Sequence, residues 1–339
     1  MQLERNADLR PLTTFGVPAR TKWLGRFTSV EELRALLQAP EVNGQPRLVL
    51  GGGSNMLFTR DWPGVVLMNE IPGIHMFRED AHHAWVTAGA GVVWHALVRH
   101  CVDQDWGGLE NLSLIPGKVG AAPMQNIGAY GVEIKDHFDH LEALRIEDGE
   151  VVTFDREACA FGYRESFFKR AGRDRYIILS VTFRLNKAPH TLNTSYGNIQ
   201  QELEQRGIAS PTLRDVSDAV IAIRRSKLPD PAVTGNAGSF FKNPVVPQAL
   251  AERLKETHPG LASYPAGPGE VKLAAGWLIE QAGWKGYHGN GHGVHDKQAL
   301  VLVNRGGATG QAIFDLSQRI LDSVRERFGV ELEREVNII

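Results

Sequence analysis

Two cysteines, Cys101 and Cys159, are too few in 339 residues to build a disulfide framework, and their scarcity points to a reducing compartment. No run approaches the roughly 18 consecutive apolar residues of a membrane span. The opening MQLERNADLR lacks the apolar stretch of a secretory signal. A dominant charge is missing too. With 37 basic against 39 acidic residues the net charge is −2, which argues against a basic sheath for nucleic acid. No fixed-period repeat or low-complexity tract is present. These absences leave a cytoplasmic enzyme or binding protein as the expected class. At roughly 100–200 residues per domain, the length asks for two or three domains. The 42% hydrophobic and 22% charged content supports a substantial core.

Strand and helix signals are mixed. SVEELRALLQA (29–39) predicts a helix capped by Ser29. RLVL (47–50), GVVLMN (64–69) and AWVTAGAG (84–91) read as strands, and VVWHALVRHCVDQDW (92–106) as a helix. EALRIEDGEVVTF (142–154) reads as a hairpin turning at Asp148-Gly149. RYIILSVTFRL (175–185) predicts a long strand with Tyr176, Ile178 and Ser180 on one face and Ile177, Leu179 and Val181 on the other. After NKAPH (186–190) the texture turns helical. Val216, Val220 and Ile223 form one stripe. Val271, Ala274, Ala275 and Leu278 form a second, with Gly283 as its cap. Ile313, Leu316, Ile320 and Val324 form a third, ending at Gly329. A domain boundary is expected near 190–210.

LVLGGGSNMLF (48–58) runs a strand into Gly51, Gly52 and Gly53. The dinucleotide fingerprint G-x-G-x-x-G fails, because Met56 stands at the third glycine position and no helix pattern comes after it. A concave run of backbone N–H groups can still bind phosphate, with Ser54 and Asn55 adding donors; a plain turn is the alternative. GGLENLSLIPGKVGAAPMQNIGAYGVEI (107–134) is longer and interleaves glycine and alanine with apolar residues. Its small residues would let backbone approach a flat ligand, with Gln125 and Asn126 reaching the ligand's edges. Its apolar content argues against disorder.

In GNAGSFFKNP (235–244) a hydroxyl, Ser239, stands beside two phenylalanines. A local turn explains that as readily as a function does. YHGNGHGVHD (287–296) gathers His288, His292 and His295, but without a nearby cysteine and with soft glycine spacing, so no metal is expected.

TTFGVPA (13–19), LGGGSNMLF, the 107–134 segment, FGYRESFFK (161–169), KLPDP (227–231), NAGSFFKNP and KLAAGWLIEQAGWKG (272–286) together resemble, in the same order, the motif series of the UDP-N-acetylenolpyruvoylglucosamine reductase family, type I. The resemblance covers nearly the whole chain. It implies an α+β fold: an FAD-binding fold of the vanillyl-alcohol-oxidase (PCMH) type over 1–203, in two α/β subdomains divided near 70, and a C-terminal α+β substrate-binding domain over 204–339. The last residues would pack back on the FAD domain.

The implied activity is reduction of the enolpyruvyl ether of UDP-N-acetylglucosamine to UDP-N-acetylmuramate, a cytoplasmic step of peptidoglycan precursor synthesis. NADPH would be the hydride donor and FAD the non-covalent cofactor. The partners implied are these small molecules alone, with no nucleic acid and no membrane, and the chain is expected to be a monomer. By the same resemblance Arg164, Ser239 and Glu335 would be catalytic. Arg164 offers a planar fork to a carboxylate, though an ion pair with Glu165 is the plain alternative. Glu335 would have to be protonated, and otherwise reads as a charged residue on a terminal strand. Ser239 would donate a proton, polarised by Lys242 or Tyr163.

FAD contacts would come from Gly51, Gly52, Gly53, Ser54, Asn55 and Met56. Further contacts would come from Ile115, Pro116, Gly117, Ala121, Ala122, Gln125, Asn126, Gly128 and Gly131, with Ile178 and Arg224 beyond them. Lys227 and Tyr196 would hold the diphosphate, Tyr196 closing from the loop TSYGNI (194–199), with Tyr163, Asn243 and Gln298 also touching substrate. A solvated basic helix end is the plain reading of Arg224, Arg225 and Lys227. Two departures stand out. Ala121-Ala122 offer the flavin only backbone donors, and Arg334 occupies a position where proline is expected. The rival on the same fold is an FAD-dependent oxidase or dehydrogenase of an alcohol or hydroxy acid. A non-catalytic sugar-nucleotide binding module is a third reading.

Overall fold

A computed structural model describes residues 2–339. The chain divides into two compact units. The first comprises the chain up to Ala7, Thr21–Gly52 and Pro63–Ser226; the second comprises Asp8–Arg20, Gly53–Trp62 and Lys227–Ile339. This division runs past the expected 203/204 boundary.

In the first unit a four-stranded sheet has the order Leu3–Asp8, Arg20–Phe27, Trp62–Asn69, Arg47–Leu50. Helix α1 (Val30–Gln38) covers it. Its start is fixed reciprocally: Ser29 Oγ accepts the Glu32 N–H at 3.2 Å, and the Glu32 carboxylate accepts the Thr28 N–H at 2.7 Å. Leu33 and Leu36 of α1 share a core with Val65, Leu67, Ile177 and Leu179.

The second sheet of this unit is antiparallel throughout, in the order Val151–Asp155, Phe138–Arg145, Tyr176–Asn186, His83–Gly89, Ile74–Glu79. Helix α2 (Trp94–Asp103) packs on it through Trp94, Leu97, Val98 and Cys101. The simple alternation expected for the long strand fails at one point. Glu142 lies opposite Ser180 and Ala143 opposite Ile178, so Leu179 is an extra residue. The bulge inverts the facing of the residues beyond it. Val181 therefore joins Ile178, Phe183 and Leu185 in the α2 core, instead of joining Ile177 and Leu179.

Helices α3 (Ile199–Gln205) and α4 (Leu213–Lys227) pack together through Ile199, Leu203, Val216, Val220 and Ile223. The α2 guanidinium of Arg99 binds Asp218 of α4 at 2.7 Å, and the hydroxyls of Ser113 and Ser217 meet at 2.8 Å. Those ties explain why both helices group with the first unit. Cys101 and Cys159 are free and buried, and burial pushes each thiol up to about 12.

The second unit carries α5 (Gln248–Thr257), α6 (Ala275–Gln281) and α7 (Gly310–Phe328). Around them lie two three-stranded sheets and a parallel pair joining Asn337–Ile338 to Met56–Leu57. The C-terminal strand thus pairs with the segment after the three glycines, which itself belongs to the second unit. The helix expected to begin near Val271 begins later. Glu270–Leu273 is a strand, with Val271 opposite both Val246 and Pro265, and α6 starts at Ala275. A short apolar run fits either period, and pairing on both edges decided for strand. Helix α7 matches its pattern, from the Thr309 cap to Gly329 at φ +63°. Among the described residues no helix is long and apolar enough to cross a membrane.

Candidate active site

In the first unit the two glycine segments meet. A Cβ added at Gly52 would lie 3.0 Å from the Gly117 Cα, and one at Gly51 would lie 3.7 Å from the Lys118 side chain. Gly117 has φ +120°. Backbone therefore faces backbone with no room for side chains, the kind of surface that a large flat ligand can approach. Gly53, in the second unit, is under tighter constraint: at φ +58° its Cβ would meet the Leu12 carbonyl at 2.1 Å.

The 107–134 segment is ordered by three short 3-10 turns and a small hairpin pairing Gly128–Ala129 with Val132–Glu133. Its donors are largely committed. The N–H groups of Ala121 and Ala122 bond the carbonyls of Lys118 and Val119, both at 3.0 Å. Asn126 is fully buried at φ +44°; its amide nitrogen reaches Glu133 and the Gly162 carbonyl, while its oxygen accepts the Lys135 N–H. These bonds fix the backbone of all three residues within the fold. Gln125 is half-buried beside it, Ile115 packs on the α2 core, and Ile178 lies within that core. Pro116 is exposed next to Gly117.

Arg164 sits at φ +56° in a tight turn closed by Gly162 and Glu165. Its Nη2 donates to the Gly128 carbonyl at 2.9 Å, and its guanidinium lies 5.7 Å from the Tyr163 ring centroid. The carboxylate of Glu165 binds Arg170 at 2.9 Å. Arg224 of α4 donates from Nε to the Leu114 carbonyl at 3.2 Å, and burial pulls it below the usual arginine range while the nearby Tyr130 opposes that shift. Tyr196 is 47% exposed. Its loop reaches the hairpin at Gly131, where a Cβ would lie 3.2 Å from the Tyr196 Cβ.

In the second unit Gly238, at φ +68°, donates its N–H to the Asn236 side chain at 3.0 Å and presents Ser239. Phe240 and Phe241 are buried, with Phe240 edge-on to Phe15 at 6.1 Å. Phe240 donates to the Leu300 carbonyl, and its own carbonyl accepts the Glu335 N–H; both bonds are 2.8 Å. Ser239 and Glu335 thus occupy adjoining, paired stretches. Lys242 forms a 2.8 Å ion pair with Glu333. Asn55 donates to the Glu335 carbonyl at 3.2 Å, so this expected cofactor residue braces the stretch that carries Glu335; Ser54 and Met56 flank it. Asn243 and Gln298 converge on the start of α6. Asn243 accepts the Ala275 N–H at 3.0 Å, and a Cβ at Gly276 would lie 3.1 Å from the Gln298 side-chain oxygen. Lys227 is exposed. Of the three histidines of 287–296, His288 faces Asp296 at 3.4 Å and His292 the Asn290 carbonyl at 3.0 Å, while the buried Nδ1 of His295 has no hydrogen-bond partner.

Three residues that the sequence motifs do not single out prove structural to the site. Asn111 is fully buried and donates to the carbonyls of Tyr130 and Asn193, tying the hairpin to the Tyr196 loop. Asn236 sets the Ser239 turn through its bond to Gly238. Lys118, alone among glycines and alanines, donates to the Asn69 carbonyl at 3.0 Å, and burial lowers its pKa. A polar residue isolated in a small or apolar run was the available signal for Asn236 and Lys118, whereas Asn111 beside Glu110 carried none.

Comparison with known proteins agrees with this layout. Residues 24–155 match an FAD-binding domain, and residues 230–339 match the C-terminal domain of UDP-N-acetylenolpyruvoylglucosamine reductase. A protein of that name from Azoarcus sp. (strain BH72) is 55% identical over 339 residues, covering 99% of this chain and 97% of the relative. One from Chromobacterium violaceum is 52% identical, covering 100% and 99%. The solved structure of the enzyme from Thermus caldophilus superposes with a TM-score of 0.67 at 25% identity, covering 100% and 99%. With an FAD-binding fold, a matching C-terminal domain and full-length relatives above half identity, the chain belongs to the UDP-N-acetylenolpyruvoylglucosamine reductase family of FAD-dependent oxidoreductases.

Proposed function

We propose that this chain, a cytoplasmic monomer, reduces the enolpyruvyl ether of UDP-N-acetylglucosamine-enolpyruvate to UDP-N-acetylmuramate with NADPH and non-covalent FAD, a step of peptidoglycan precursor synthesis. The observation that carries the reading is the 2.8 Å bond between the Glu335 N–H and the Phe240 carbonyl, which sets a carboxyl and the Ser239 hydroxyl on paired stretches. The side-chain-free approach of Gly52 to Gly117 fits FAD, as only backbone lines it. Gly51, Gly52, Gly117, Gly128 and Gly131 would hold the cofactor, with Arg224 fixing the Leu114 backbone behind them. Bound FAD supplies a hydride drawn from NADPH.

Hydride addition to the terminal methylene drives an electron pair toward a carboxylate that is already charged. That is opposed unless donors are aimed at it. Arg164 provides a fork that stays charged. Glu335, kept protonated, donates a hydrogen bond to the same developing charge. The Ser239 O–H bond then breaks and its proton joins the carbon bearing the pair, which completes the lactyl ether. A hydroxyl is a weak acid, so the serine must be resupplied; the Lys242–Glu333 pair lies next along the strand. Tyr163, Tyr196, Lys227, Asn243 and Gln298 would hold the nucleotide. Anaerobic mixing with NADPH and then with the enolpyruvyl nucleotide tests this. The flavin should bleach and then recover its oxidised spectrum, and bleached flavin that the nucleotide leaves reduced would overturn the proposal.

A further inference from the structure

We infer that Arg334 is the positioning residue for Glu335; the inference rests on the reading of Glu335 as the carboxyl that meets the developing charge. The stretch carrying Glu335 is joined to Phe240–Lys242 by two backbone bonds, from Lys242 N–H to the Glu333 carbonyl at 2.9 Å and from Glu335 N–H to the Phe240 carbonyl at 2.8 Å. A ladder this short leaves the tilt of the stretch loosely set. Arg334, at the bridge opposite Phe241, supplies what the ladder lacks. Its Nε donates to the Ser317 hydroxyl and its Nη2 to the Gln318 side-chain oxygen, both at 2.8 Å. Its guanidinium lies 4.5 Å from the Phe314 ring centroid. Positions 314, 317 and 318 share one face of α7.

That face is itself fixed. Ser317 is fully buried and donates to the Phe314 carbonyl at 2.6 Å, and Gln318 donates to Asp322 at 3.1 Å. In an extended stretch successive side chains alternate, so anchoring Arg334 on α7 turns Glu335 to the opposite side. Helix α7 thus serves as the rigid reference for a carboxyl that does not belong to it. The bridge uses the N–H groups of Lys242 and Glu335 and leaves that of Arg334 out of the pairing. A proline at 334 would therefore break no ladder bond and would stiffen the backbone by locking φ.

The test measures the two anaerobic half-reactions of the holoenzyme separately. In Arg334→Ala, reoxidation of reduced flavin by the enolpyruvyl nucleotide should slow about tenfold or more, with reduction by NADPH within about twofold. Amide hydrogen exchange at Glu335 should speed up by about tenfold. Arg334→Pro should recover most of both losses, and Arg334→Lys part of them. If Arg334→Ala does not fold, Arg334→Lys carries the same comparison at about threefold. In a Glu335→Gln background, Arg334→Ala should slow reoxidation no further. Glu335→Gln at wild-type speed would overturn the reading of Glu335, and the positioning role with it. A slow Glu335→Gln combined with a normal Arg334→Ala, with full additivity, or with equal loss in both half-reactions would overturn the positioning role alone.

Discussion

Between Gly107 and Ile134 polar ties add to a buried apolar face; between Gly235 and Asn243 the chain is held chiefly by buried rings. Asn111 and Asn126 of the first region grip the carbonyls of Tyr130 and Gly162, and Arg164 and Arg224 from outside it grip those of Gly128 and Leu114. In the second, Phe240 and Phe241 are 0% and 1% exposed, and one amide, Asn236, sets the turn before Ser239. The difference fits what each region is proposed to present. A cradle for a broad planar ligand has to keep its own side chains out of the way, so its backbone is fixed from behind by hydrogen bonds. A single hydroxyl has to be accurate at one point, and two rings locked in a close-packed core give that accuracy directly.

The largest effects should come from the ring-held region. Ser239→Ala removes the proposed proton donor, and nucleotide-driven reoxidation should slow by about 100- to 10,000-fold while reduction by NADPH stays near normal. Equal loss in both half-reactions would contradict that role. Phe240→Ala should cost about 3–5 kcal/mol in denaturant unfolding; a cost below about 1 kcal/mol would show that the rings are not the anchor. Arg164→Lys, in the tied region, keeps the charge but loses the fork. Stopped-flow reoxidation by the nucleotide should fall by about tenfold, again sparing the NADPH step. A fall in that step as large would mean that the tie to Gly128 mattered more than the clamp.

Much of this was legible because local chemistry carried it. The Ser29 cap, the Asp148-Gly149 turn and the stripe of α7 with its Gly329 end are all set by neighbours within a few residues. The features that escaped were set by distant partners. The bulge at Leu179 depends on how a second strand pairs with it, and the strand at Val271 on having neighbours at both edges. Residues 8–20 and 53–62 join the second unit through contacts such as Gly310 against the Phe58 carbonyl, which no local pattern announces. The same holds at the site. Ser239 and the glycines stood out, and Arg334 only as a departure, whereas Asn111 acts through a carbonyl far along the chain and Arg334 through a helix. Asn126 stood out in sequence as a ligand contact, and what the sequence did not announce is the set of bonds its side chain makes within the fold, to Glu133, the Gly162 carbonyl and the Lys135 N–H.

The smallest effect sharpens the contrast from the side of the polar ties. Asn111→Leu leaves the Tyr130 and Asn193 carbonyls without their donor in a buried setting, which should cost about 1–3 kcal/mol. Cys101 reports on that loss, because it shares a core with Leu109 and Leu112 on either side of Asn111. With its thiol pushed up to about 12, only about one part in ten thousand is thiolate at pH 8. A neutral thiol reagent should therefore leave the native protein unlabelled over the time in which unfolded chain reacts fully. If the ties are what hold the segment shut, Asn111→Leu should label Cys101 about 5- to 150-fold faster, the same free energy read as a rate. Unchanged labelling in a variant of lowered stability would place the opening elsewhere, and the segment would then be held by its apolar contacts, as the Ser239 loop is.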